Sequence, residues 1–390
     1  MDPRVLAATC LVSSLAWATS LYATLRTIRA VPLLRDDVSP EPARWPRVSL
    51  IVPARDEARD LERAVRTRLT DDYPNLQVIL VDDRSTDGTG AIADRLAADD
   101  PRVKVVHVTE LPAGWLGKLN ALHRGVAEAD GEWLLFSDAD IEFAPGTLRR
   151  TVSLCERRGC DHLTVLPSFR QNGLLLDAAI HAFARALVIL GRLWAVPDMS
   201  SRVAVGGGIF NLVRRRAYDR TPGFEYLRLE IADDVALAQM IKRAGGPSVV
   251  VNAVGFVTLD FYKSLSEMAS GLEKNSFAVI ARFRLSVLVA VTLVSTLLTF
   301  GFVAGFAHPH PWMQALAGCV LVSSLVEQHV LSRWAGRSSL PGFLYPFGLL
   351  AVLAITWRSA WLTLRRGGVA WRDTVYRVDD LREGSRLELF

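Results

Sequence analysis

Apolar residues follow two different rhythms along this chain. Val5 to Leu25 and Leu285 to Phe306 contain no Asp, Glu, Lys or Arg, and as helices each is long enough to cross a hydrocarbon core of about 30 Å. Trp312 to Leu331 and Leu340 to Leu364 are long and apolar again. Between the spans the apolar runs are short: Val48 to Val52, Leu76 to Val81, Val103 to Val108 and Trp133 to Phe136. They alternate with helical stretches reaching to about Leu69, over Thr86 to Ala98 and over Lys118 to Glu128. Strands alternating with helices at this spacing predict βαβ units and a mostly parallel sheet covered on both faces. The expected fold class is therefore α/β, with added transmembrane helices.

This pattern divides the chain into an N-terminal anchor (1–30), a sheet domain (47–282), C-terminal membrane helices (285–364) and a basic tail (365–390). Val5 to Leu25 is read as a retained anchor, because its apolar run is long and no convincing small-residue cleavage site follows. Arg26, Arg29 and Arg35 place the residues after it in the cytosol by the positive-inside tendency. That tendency disfavours a simple crossing by Leu340 to Leu364, since Arg365, Arg366, Arg372 and Arg377 follow it. A re-entrant or interfacial hairpin and an exception in orientation both stay open. Within the sheet domain, Gly173 to Trp194 reads as a helix whose polar residues Asp177, His181, Arg185 and Arg192 share an arc of about 80°. It is expected to lie in the bilayer interface over 174–196 with that stripe solvated, a core helix being the competitor. Glu327 and His329 near a span end suggest contact with an acceptor headgroup, or mutual pairing.

Charge and cysteine content change the picture little. The net charge of +4 is a mild excess, and it lies largely beside the apolar spans, which favours anionic lipid headgroups over nucleic acid. Cys10, Cys155, Cys160 and Cys319 lack the spacing of a zinc site and read as reduced structural thiols. Forty Arg among 45 basic residues point to a GC-rich bacterial genome, and hence to a bacterial cytoplasmic membrane.

Ligands on open α/β sheets bind outside the carboxyl ends of the strands, and three polar clusters fall there. They are Pro53-Ala54-Arg55-Asp56-Glu57, Asp82-Asp83-Arg84-Ser85-Thr86-Asp87-Gly88 and Ser137-Asp138-Ala139-Asp140. Asp138 and Asp140, at i and i+2 of an extended chain, point the same way. Two carboxylates so placed persist most readily with a cation between them or between one of them and a ligand. Ser85, Thr86 or Asp87 suits a helix N-cap, which leaves Asp82 and Asp83 freer for a ligand. Lys118, at the end of a loop containing Gly114 and Gly117, is placed to meet a phosphate near a helix start.

In order and spacing, Val48 to Glu57, Val81 to Gly88, Gly114-Trp115-Leu116-Gly117-Lys118 and Asp138-Ala139-Asp140 resemble the family-two inverting glycosyltransferases of GT-A fold, a Rossmann-like sheet. The resemblance covers about residues 47 to 282 and implies a nucleotide-sugar donor and one Mg²⁺ or Mn²⁺ held by the D-x-D motif. By position, Pro53, Ala54 and Glu57 would border the nucleoside, and Asp82 or Asp83 would meet the uracil or ribose. Asp138 and Asp140 would hold ribose and the metal diphosphate. Gly208-Ile209-Phe210 resembles the Gly-x-Phe segment lining the sugar pocket, and Asp233-Asp234 resembles the family's acidic pair. Adjacent helical residues face different directions, so one of the two serves as base, and the match selects Asp234.

Processive synthases and ceramide glucosyltransferases of the family carry Gln/Arg-x-x-Arg-Trp after the base, and this chain has none. Gly271-Leu272-Glu273-Lys274-Asn275-Ser276-Phe277-Ala278 is instead similar to a segment of bacterial lipid-, carotenoid- and hopanoid-type members, with Lys274 as a replacement cation for the diphosphate. The expected activity is inverting transfer of a single sugar from a UDP- or GDP-sugar to a membrane lipid at the cytosolic face. A processive polysaccharide synthase and a non-catalytic nucleotide-sugar or lipid-binding membrane protein are the alternatives. A Rossmann dehydrogenase is disfavoured, because no G-x-G-x-x-G follows the first strand.

Overall fold

The computed structural model describes residues 2–372 and 374–388, and the chain divides into two compact units. One comprises Val31–Arg170, Leu193–Phe261 and Asp380–Phe390; the other comprises Met1–Ala30, Gln171–Arg192 and Tyr262–Asp379.

The first unit is built on a seven-stranded sheet. The four expected strands are β1 (Val48–Ala54), β2 (Leu76–Asp83), β3 (Val103–Val108) and β4 (Trp133–Phe136). After them come β5 (Glu142–Phe143), β6 (His162–Leu166), β7 (Ser168–Phe169), β8 (Asn211–Arg214), β9 (Ser248–Asn252) and β10 (Val257–Leu259). The order is β3-β2-β1-β4-β8-β6-β9, parallel throughout except that β8 runs antiparallel to β4 and β6. The α/β, mostly parallel sheet expected from the chain is thus observed. Val48, Leu50, Ile51 and Val52 of β1 are wholly inaccessible, as befits a strand covered on both faces that reads as a continuous apolar run. From β1 the chain builds outward to β3 and then returns across β1 to β4. This change of direction leaves a crevice beyond the carboxyl ends of β1 and β4. β5, β10 and β7 form a separate three-stranded sheet.

The second unit is helical. Pro3–Ala30, Leu174–Ala195, Leu285–Gly305, Pro311–Trp334 and Tyr345–Arg366 are long and apolar enough to cross a membrane, by length and composition. An antiparallel pair, β11 (Gly368–Trp371) and β12 (Thr374–Arg377), follows the last of them.

Residues 171–192 and 262–282 group with the apolar helices, and 380–388 group with the sheet. Other expectations are corrected here. Most of the polar stripe is not solvated: Asp177, His181 and Arg185 are only 3%, 4% and 8% exposed, while Arg192, beyond the Leu174–Leu190 helix, is exposed. Arg185 Nε lies 2.9 Å from Glu327, its other nitrogens donate to Tyr345 and Ser20, and its guanidinium packs over the rings of Trp17 and Tyr345. His181 meets Gln328 at 2.6 Å, and Asp177 meets Arg337 at 2.6 Å. Unpairing a buried ion pair costs about 3–5 kcal/mol, so the opposite charges on facing helices keep this stripe inside. Glu327 accordingly pairs with Arg185, while His329 meets Ser339 at 2.9 Å. Tyr345–Arg366 is one continuous helix, not a hairpin, with its proline in the first turn, where no intrahelical N–H bond is lost.

Candidate active site

The crevice beyond β1 and β4 is lined by Pro53, Lys118, Phe136, Ser137, Asp138, Gly208, Asn211, Phe224, Asp233 and Asp234, among others. Six residues singled out in the sequence therefore meet in one pocket: Pro53, Lys118, Asp138, Gly208, Asp233 and Asp234.

The acidic turn leaves β4 under tight backbone control. Ser137 donates its hydroxyl to the Ile209 carbonyl (2.7 Å), and the Asp138 N–H donates to the Gly208 carbonyl (2.8 Å). Arg68, fully buried, donates to the carbonyls of Asp138 (2.5 Å) and Ile141 (2.9 Å), so one guanidinium holds both ends of the turn. Burial lowers the Arg68 pKa to about 10 against the pull of Asp140 and Asp138, and it stays cationic at neutral pH. Burial, reinforced by the neighbouring Asp138, pushes Asp140 up to about 6. This is a carboxylate short of a cation.

Lys118 stands in the first turn of the Gly117–Ala127 helix, with Nζ 2.9 Å from Asp138 Oδ1 and 3.4 Å from Asp233 Oδ2. Burial disfavours its charge, but Asp138, Asp233 and Asp234 outweigh that and hold the ammonium above its usual range. Asp233 and Asp234 open the Asp233–Arg243 helix and diverge as expected. Asp233 turns to Lys118, whereas Asp234 accepts from the Gly208 N–H through Oδ2 and from the Val235 N–H through Oδ1, both at 2.8 Å. Burial raises the Asp234 pKa, outweighing Lys118 and these two donors.

Two glycines make this approach possible. A Cβ at position 206 would lie 2.0 Å from the Asp234 carbonyl oxygen, and one at position 208 would lie 2.7 Å from Asp138 Oδ2 and 2.9 Å from Lys118 Nζ. Asn211, not singled out in the sequence, donates to the Asp234 carbonyl (3.3 Å) and meets His162 Nε2 at 3.0 Å. Burial takes His162 down to about 4 and keeps it neutral. An Asn and a His within buried apolar runs were the available signal. For Arg68 the signal was an arginine on the buried face formed by Leu61, Ala64 and Val65.

The loops after β1 and β2 form a second edge. Hydrogen bonds stitch them together: the Asp56 N–H to Ser85 (3.1 Å), the Glu57 N–H to Thr89 (2.8 Å), the Ala58 N–H to Asp87 (3.0 Å) and the Thr86 N–H to Asp56 (2.8 Å). Ala54 ends β1, buried. Asp82 meets His107 Nδ1 at 3.0 Å and accepts from the Ser85 N–H at 3.3 Å. Asp83 takes a bidentate contact from Arg84 at 2.8 and 3.0 Å. The hydrogen bond to Asp82, and then that to Asp94, raises the His107 pKa. Asp56 and Arg84 have φ of 54° and 59°, a left-handed conformation that costs non-glycine residues energy and clusters at functional sites. Of the three expected capping residues, Ser85 and Thr86 serve the neighbouring loop, whereas Asp87 accepts from the N–H (3.0 Å) and hydroxyl (2.6 Å) of Thr89, the first residue of the helix, with Gly88 at the N-cap position.

Lys274 does not join the pocket lining. It lies in the helical unit, 3.7 Å from the centroid of the Trp371 ring, where a cation is attracted by the ring face.

Among the described residues no three His, Cys, Asp or Glu side chains gather into an all-protein cage. Asp138, Asp140, Asp233 and Asp234 gather four carboxylates around the cations Lys118 and Arg68. Hard oxygen donors on one turn suit a Mg²⁺-like ion held by one or two carboxylates, with phosphate oxygens supplying other ligands.

Residues 49–195 match the family described as Glycosyl transferase family 2. The β-monoglucosyldiacylglycerol synthase of a Synechocystis species is 38% identical over 150 residues, 36% of this chain and 30% of that protein. The GalNAc(5)-diNAcBac-PP-undecaprenol β-1,3-glucosyltransferase of Campylobacter jejuni is 33% identical over 103 residues, 26% of this chain and 32% of that protein. The chain thus spans about a third of the length of these two curated relatives. Among solved structures, the Pyrobaculum calidifontis mannosyltransferase PcManGT, in complex with GDP-Man and Mn²⁺, is similar with a TM-score of 0.56 at 20% identity, covering 92% of this chain and 98% of that one. The fold is GT-A-like, and residues 49–195 carry a glycosyltransferase family 2 domain.

Proposed function

We propose that the protein is an integral-membrane, metal-dependent inverting glycosyltransferase. It moves one sugar from a UDP- or GDP-sugar to a hydroxyl or carboxyl group of a membrane lipid at the cytosolic face. The observation that carries this reading is the convergence of Asp234 with Asp138, Lys118 and Gly208 in the crevice where the strand order reverses. The five apolar helices favour a lipid acceptor, as do the two relatives named for a glucosyldiacylglycerol and an undecaprenol-linked substrate.

In this reading the acceptor oxygen attacks the anomeric carbon from the face opposite the nucleotide. Its bond forms as the bond from that carbon to the diphosphate oxygen breaks, the electron pair leaving with the nucleoside diphosphate. Asp234 takes the acceptor's proton, and burial has already raised its basicity above that of an ordinary carboxylate. Lys118 is placed to move from Asp138 and Asp233 to the diphosphate as charge grows there. A Mg²⁺ or Mn²⁺ ion held by Asp138 and Asp140 would offset the same charge. The test supplies membranes containing the protein with a panel of UDP- and GDP-sugars, follows nucleotide release and identifies the lipids by mass spectrometry. A single glycosylated lipid is expected; long polymer, or no release from any donor, overturns the reading.

A further inference from the structure

We infer that Glu230 and the C-terminal segment Ser385–Glu388 form a strap that positions the Asp233–Arg243 helix, and with it Asp234. Glu230 is only 3% exposed, and its carboxylate is the meeting point of two distant segments. Oε2 accepts from the N–H of Arg386 (2.5 Å), the N–H of Leu387 (2.9 Å) and the Ser385 hydroxyl (3.2 Å). Oε1 accepts from the N–H of Ala232 (3.1 Å), the residue just before the helix.

The segment then continues along the helix. Gln239 and the Glu388 backbone exchange two hydrogen bonds, at 2.8 and 3.2 Å, and Arg243 meets the Glu388 carboxylate at 2.7 Å. The Arg386 guanidinium packs over the Tyr226 ring. Gly384 approaches so closely that a Cβ there would lie 2.4 Å from the Leu229 Cβ.

The strap therefore grips the chain on both sides of Asp234 and leaves its working face free. At 3.6 residues per turn, Gln239 and Arg243 lie about 140° and about 180° around the helix from Asp234. No pocket-lining residue comes from the strap. With the segment in place the buried carboxylate has four donors; without it only the Ala232 N–H remains. A buried carboxylate left short of donors is costly, so the loop before the helix loses its fixed geometry when the strap leaves. Asp234 depends on that geometry, because it must stay 2.8 Å from the Gly208 N–H. Glu230 is thus a positioning residue for the proposed base, and this inference rests on the proposed function.

The test uses full-length protein, Glu230→Gln, a chain ending at Gly384, and the two changes combined. Hydrogen exchange is followed over 231–243, together with kcat, the donor KM and the thermal midpoint. Each single change should speed exchange in the first turn of the helix about tenfold and lower kcat about tenfold, with the donor KM within about twofold. The combined variant should be no worse than the worse single one, because both changes remove the same contact. Unchanged exchange in both variants, or losses that add, overturns the strap. Exchange needs no turnover, so a wild-type protein inactive with every donor counts against the proposed function while the strap is still decided.

Discussion

At the scale of single residues, the site is an imbalance of charge. Asp234 is raised from its ordinary 3.8 by burial and pulled back by Lys118. A base works deprotonated, so kcat/KM should rise with pH through the folded pKa of Asp234. Lys118→Met removes the cation that favours the charged form, and the acid limb should move to higher pH; a limb that stays or moves lower contradicts the assignment. Asp234→Asn should abolish transfer, by at least about 10³-fold, while donor binding measured by calorimetry persists. Asp140 supplies a test in which activity plays no part. Its folded pKa of about 6 exceeds the ordinary 3.8, so the folded protein binds the extra proton between those values and stability falls as pH rises through that window. At pH 7.5 the charged carboxylate opposes folding unless a cation stands beside it. Asp140→Asn should therefore raise the thermal midpoint of the metal-free protein at pH 7.5 and diminish its response to Mn²⁺, read in melts with and without chelator. The strand-end acids were legible in the sequence because each stands where an apolar run stops. Arg68 and Asn211 showed only as polar residues within buried apolar runs, and what each holds, a backbone carbonyl, is brought close only by the fold.

At the scale of elements, legibility followed connectivity. β1 to β4 repeat a strand and a helix in regular alternation, and that rhythm showed in the chain. After β4 the rhythm breaks: β8 is antiparallel, and the Leu174–Leu190 helix of the other unit intervenes between β7 and β8. His162–Leu166 and Ser248–Asn252 each follow a helix, Thr147–Arg158 and Asp233–Arg243, but they are short and carry buried polar residues such as His162, Thr164 and Asn252, which blur the apolar run. The polar stripe of the intervening helix misled for a related reason, because an arc of charges looks the same whether water or a facing Glu327 receives it. The segment before β8 and the Asp233–Arg243 helix meet at Gly206. A Cβ at that position would lie 2.0 Å from the carbonyl oxygen of Asp234, and backbone yields less readily than a flexible side-chain end. Gly206→Ala should displace the two elements at a cost of about 1–3 kcal/mol and lower kcat more than it raises the donor KM. Thermal melts paired with steady-state kinetics check both halves.

At the scale of the whole molecule, the path of the chain limits how many helices can cross a bilayer. Among the described residues five qualify by length and composition, but the chain leaves the sheet unit after Arg170 and rejoins it at Leu193, then leaves after Phe261 and rejoins it at Asp380. An excursion that begins and ends in one folded unit crosses an even number of times. The first excursion has one candidate helix, and a return through lipid without helical structure would leave backbone groups unsatisfied, so Leu174–Ala195 is expected not to cross. The second has three candidates, of which two can cross. Arg365, Arg366, Arg372 and Arg377 follow the third, and basic residues favour the cytosolic side, so the continuous helix Tyr345–Arg366 is the one expected not to cross. In a background with Cys319 replaced by Ser, cysteines introduced for Ala113 in the sheet unit and Glu383 beside the strap should both label from the cytosolic face. A cysteine for His310, between the two crossing helices, should label from the opposite face. Glu383 labelling with His310 would show that three helices cross after the sheet unit, and the attachment of Ser385–Glu388 to Glu230 could not then exist in the membrane.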